Sequence, residues 1–81
     1  MTNGGGMAQK RITQLELYEW IVARMRERPG CETFSRDHFR LLGAGEGWQV
    51  HRTNELDDWD SEWAHQFPLV VASARERFTV K

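Results

Sequence analysis

The chain has 81 residues, 40% of them hydrophobic and 28% charged, with a formal net charge of −1. That length fits one small domain, and the apolar fraction suffices for a core, which excludes wholesale disorder. No apolar run approaches the roughly 20 residues of a bilayer span, and the N-terminus has no apolar signal-peptide core. The near-neutral balance supplies no whole-molecule field for nucleic acid or acidic lipid.

Residues 1–9 read as a flexible tail, because Thr2-Asn3-Gly4-Gly5-Gly6 has no anchoring side chain and three glycines raise the entropic cost of order. Residues 10–81 read as a single small globular domain. Thr13-Gln14-Leu15-Glu16 spells a capping box, with Ile12 and Leu17 at the positions of a hydrophobic staple. Leu17, Tyr18, Ile21, Val22 and Met25 then recur at helical spacing, and Pro29-Gly30 stops the pattern. The spacing predicts a helix over about residues 14–28.

A second start signal follows. Ser35 suits an N-cap, Asp37 suits the positive end of a helix dipole, and Phe34 and Phe39 occupy staple positions. These predict a short helix from Arg36 to Leu42 with Phe39 and Leu42 inward and Gly43 as its C-cap. Gly43-Ala44-Gly45-Glu46-Gly47 then reads as a flexible connection. Trp48 to Thr53 alternates as a half-buried strand does, and Thr79-Val80 or Glu32-Thr33-Phe34 are its candidate partners. Asn54 is placed to cap a third helix whose stripe is Leu56, Trp59, Trp63 and Phe67, ended by Pro68. Residues 69–80 read as a fourth helix with Val70, Ala74 and Phe78 inward, or as a hairpin; the Ala-Ser-Ala-Arg-Glu-Arg composition favours the helix.

The chemistry-bearing residues form no recognised catalytic or metal motif. Gly43-x-Gly45-x-Gly47 is expected to follow a helix and not a strand, and no Gly-Lys-Ser/Thr comes after it, so it reads as a flexible connector in preference to a phosphate loop. Asp58, Asp60 and Glu62 alternate like part of a calcium loop, but Trp63 and Leu69 stand where such a loop needs glycine and glutamate. His38, His51, His65 and Cys31 show no metal-ligand spacing, and a single cysteine excludes an internal disulfide.

Charge and tryptophan placement remain. The net charge of −1 is a cancellation: residues 55–62 hold five acids and no base, while five arginines (Arg24, Arg26, Arg28, Arg36 and Arg40) fall between residues 24 and 40. Trp48, Trp59 and Trp63 have core positions ready. Trp20 sits at the edge of the first helical stripe beside Glu16 and Arg24, as an interface anchor or as a ring stacked beneath Arg24.

These features predict an α+β, mainly helical domain with three or four helices and a short antiparallel sheet. The expected order is helix, helix, strand, helix, then helix or hairpin. The expected function is a cytoplasmic, non-enzymatic protein–protein interaction module without cofactor, metal or membrane attachment. Trp20, Arg24, Glu55, Asp58 and Glu62 are its candidate partner-binding residues, with another protein or a second copy as partner. The alternative is a nucleic-acid-binding protein that resembles helix-turn-helix architecture in the order of its elements, using Arg36 and Arg40.

Overall fold

The computed structural model describes residues 9–53, 59 and 61–81. Among these, the chain forms β1 (Lys10–Ile12), α1 (Gln14–Arg26), a single 3-10 turn (Arg36–His38), β2 (Phe39–Leu42), β3 (Gln49–Arg52), α2 (Ser61–Arg77) and β4 (Phe78–Val80). The fold is α+β with two helices and four strands in two small sheets, so the expected three or four helices are not there. The expected tail through residue 8, the Asn54 cap and the stripe residue Leu56 lie outside the described residues.

The first helix begins where its capping box places it. The Thr13 hydroxyl accepts the Glu16 N–H at 3.1 Å, and the Thr13 N–H donates back to the Glu16 carboxylate at 2.9 Å. Leu17, Ile21 and Met25 are fully buried along one face, and Ile12 joins the same core. Tyr18 and Val22, expected on that stripe, are only half-buried.

The second predicted helix is a correction. Ser35 does cap, accepting the Asp37 N–H at 3.3 Å, and Phe34 stacks on Phe39 at 5.7 Å. Helical geometry ends after His38, however, and Phe39–Leu42 becomes a strand whose burial alternates. Phe39 and Leu41 face the core, whereas Leu42, expected inside, is exposed. The reason is tertiary: β2 pairs antiparallel with β3, setting Arg40 opposite His51 and Leu41 opposite Val50. A short segment with apolar residues on alternate positions buries them equally well as one strand of a hairpin, and there it gains a backbone ladder. Neither expected strand partner, Thr79-Val80 nor Glu32-Thr33-Phe34, pairs with β3.

The glycine stretch is the hairpin loop. Gly43 and Gly45 adopt positive φ of 83° and 68°, which residues with a Cβ rarely tolerate. Gly45 also forms an isolated bridge with Val80, donating at 2.7 Å and accepting at 3.2 Å. On its other side β4 pairs in parallel with β1, matching Lys10 to Phe78 and Ile12 to Val80. The C-terminal strand thereby joins the N-terminal strand to the hairpin loop.

The predicted third and fourth helices also need correction, because from Ser61 onward they are one. Helix α2 runs through Pro68 to Arg77. Pro68 cannot donate to the Ala64 carbonyl, but both residues are exposed, so water can take up that carbonyl. The buried face of Phe67, Val70, Val71 and Ala74 continues past the proline in helical register. Phe78, expected inward on a helix, begins β4 instead. Trp48 caps the core end nearest β4: its indole donates to the Phe78 carbonyl at 3.2 Å, and Arg75 lies 4.4 Å above its ring.

Candidate functional site

The first helix carries a second stripe that the core does not use. At about 100° per residue, Leu15, Val22 and Arg26 fall on one face, turned away from Leu17, Ile21 and Met25. Leu15, the second residue of α1, is 51% exposed. Two open depressions lie along this face, one on either side of Arg36, which lines both.

The first depression, about 450 Å³, has Leu15 and Tyr18 of α1 on one side and Arg36 and Arg40 on the other. Phe39 lies beneath it, only 1% exposed. The second, about 630 Å³, runs on between Val22 and Ala23 of α1 and Ser35 beside the 3-10 turn. The two adjoin at Arg36, the one residue that lines both, and form the α1 trough.

Tyr18 builds the inner wall. Its ring packs on Phe39 at 5.1 Å, and its hydroxyl accepts the Leu41 backbone N–H at 2.8 Å. That bond occupies the edge of β2 turned away from β3, and it leaves the hydroxyl hydrogen free to donate. The charge is mixed but net cationic. Arg26, Arg36 and Arg40 line the trough against Glu19 and Asp37, in a chain whose overall charge is −1.

The five arginines between residues 24 and 40 divide between helix-surface contacts and the first depression. Arg24 lies 4.9 Å over the Trp20 ring and 3.3 Å from Glu27. Arg26 donates to the Phe34 carbonyl at 2.7 Å, and Arg28 donates to Gln66 at 2.8 Å. Among the described residues, Arg36 and Arg40 meet no carboxylate within ion-pair distance. Both are exposed, and they share the first depression.

The other expected partner residues lie elsewhere. Trp20 is half-buried, meeting Phe78 edge-on at 5.2 Å, with Arg24 and Arg77 over its ring at 4.9 and 6.0 Å. Glu62 is half-buried near the start of α2, accepting from Gln66 at 2.9 Å and lying beside Gly30. Glu55 and Asp58 lie outside the described residues. Sequence reasoning missed Leu15 and Tyr18 as trough residues. The available signal was Leu15 itself, a leucine standing about 120° from the centre of the core stripe.

Among the described residues, no three His, Cys, Asp or Glu side chains converge on a metal position. His38 is packed among aromatic rings, 4.6 Å from Trp63, with its Nδ1 accepting the Ser35 N–H at 3.1 Å. Cys31 is fully buried. Among the described residues no helix is long and apolar enough to cross a membrane. No family model, curated protein or solved structure matches the chain.

Proposed function

We propose that the chain is a non-enzymatic interaction module that engages a partner protein along the α1 trough. The observation that carries this reading is the pairing of Arg36 and Arg40, without carboxylate partners among the described residues, with the exposed Leu15 across the same depression. An apolar contact beside desolvatable guanidiniums is the chemistry of interface anchors. Placement in the cytoplasm belongs to the same proposal, since one buried thiol and no disulfide suit a reducing compartment. The nucleic-acid alternative loses the element it was built on. Arg36 lies on a single 3-10 turn and Arg40 on a strand, so no recognition helix presents them.

Site-specific photo-crosslinking tests the proposal with an internal control. Leu15 and Leu69 are exposed to nearly the same extent, 51% and 52%, but only Leu15 lines the trough. A photoreactive residue at position 15 is expected to capture a discrete protein from cell extract, and the same residue at position 69 is not. The adduct should disappear with Arg36→Glu. Equal capture from both positions, or no capture at 15, overturns the reading.

A further inference from the structure

We propose that the occupant of the trough is an extended acidic peptide of about five residues, with a carboxylate at its centre on Arg36 and Arg40 and apolar residues to either side. The inference rests on the interaction reading above and adds the partner's chemistry. Length comes first. From Leu15 to Arg26 the wall of α1 rises about 16 Å, which matches about five residues of extended chain at roughly 3.3 Å each. A single small anion would leave most of that length unused.

Charge sets the centre. Arg36 separates the two depressions and Arg40 flanks the first, so both guanidiniums serve one carboxylate or two adjacent ones. Asp37 in the first depression and Glu19 in the second oppose a longer polyanion. Apolar surface sets the flanks: Leu15 at one end, Val22 and Ala23 at the other.

The same features disfavour other modes. Strand addition to the edge of β2 is blocked at Leu41, because the Tyr18 hydroxyl takes its N–H. Single-stranded nucleic acid needs aromatic faces to stack bases, and the two rings lining the first depression, Tyr18 and Phe39, are packed on each other.

The test is an NMR titration of the full ¹⁵N-labelled chain with blocked pentapeptides carrying a central Glu between Val and Leu, and with the same peptides carrying Gln. Shifts are expected at Tyr18, Val22, Arg36 and Arg40. Affinity should fall at least tenfold with central Gln, and equally with Arg36→Gln combined with Arg40→Gln. Both arginines are exposed, so the double variant keeps the fold, and its unshifted core resonances verify that. Equal binding of the Gln peptide at these residues overturns the acidic occupant while leaving the trough as an interaction site. Absence of shifts there at millimolar Glu peptide overturns the acidic occupant, and the crosslinking result then decides the interaction reading separately. Tighter binding of a single-stranded RNA decamer to the same residues overturns the peptide. So does a dimer in sedimentation that Arg36→Glu dissolves, since it makes a second copy the occupant.

Discussion

The Tyr18 hydroxyl accepts the Leu41 backbone N–H at 2.8 Å, so a helix side chain stands where a third hairpin strand would otherwise pair. Leu41 is 5% exposed, and an edge N–H at that depth needs an acceptor. The contact closes the edge of β2, fixes α1 against the hairpin, and sets the inner wall of the trough.

Tyr18→Phe keeps the ring on Phe39 and removes only the acceptor. Leaving the Leu41 N–H without a partner is expected to cost about 1–2 kcal/mol, within the range for an unsatisfied buried donor. Urea unfolding with an unchanged m-value checks it. A variant as stable as the parent would show that the Leu41 N–H finds another acceptor.

Pro68→Ala is expected to stabilise the protein. Alanine restores the donor to the Ala64 carbonyl and removes a ring from a helix interior, where proline is about 3 kcal/mol worse than alanine. Part of that gain is offset, because proline also restricts the unfolded chain. The net expectation is about 1–2 kcal/mol, read as a higher urea midpoint. A fall in stability would mean that the proline shapes α2 in a way alanine cannot.

Glu16 makes the start of α1 sensitive to acid. The Thr13 backbone N–H holds its carboxyl below the ordinary value of 4.5 and the Thr13 hydroxyl adds to this; desolvation opposes them, and Lys81 and then Lys10 add the weakest attractions. A carboxyl lowered in the folded state stabilises it above the unfolded pKa, and that contribution is lost as pH falls through the lowered value. Glu16→Gln retains an acceptor for the Thr13 N–H without a carboxylate to protonate. Its stability deficit should therefore shrink between about pH 6 and about pH 3. A deficit that stays constant with pH would remove the carboxylate's charge from the account.

Local signals were legible where the chain satisfies them locally. The Thr13–Glu16 box and the Leu17, Ile21, Met25 stripe can be read directly, because both lie within a few residues of sequence. The Ser35 signal specifies a turn and not a helix. A cap specifies that a turn begins and says nothing of its length, and the Phe34–Phe39 contact is satisfied after one turn. Pro68 was read as a stop, although Phe67, Val70 and Ala74 keep one helical register across it. In the candidate site, Arg36 and Arg40 were legible as a pair, whereas Leu15 and Tyr18 opposite them were not. Their role depends on which face of α1 the hairpin covers.

Legible in the sequence were the α+β class, though not the number of helices, a capped first helix, a buried Trp48, a single cysteine and a separation of acid from base along the chain. Tertiary structure alone decided that Phe39–Leu42 is a strand, that β1 and β4 pair in parallel from opposite ends of the domain, and that Arg36 and Arg40 face Leu15. The physical reason is range. Capping and periodicity act between neighbours, whereas strand pairing and groove formation depend on segments that meet only after the core has closed. The net charge of −1 conceals a trough lined by more cations than carboxylates, which only the folded chain assembles.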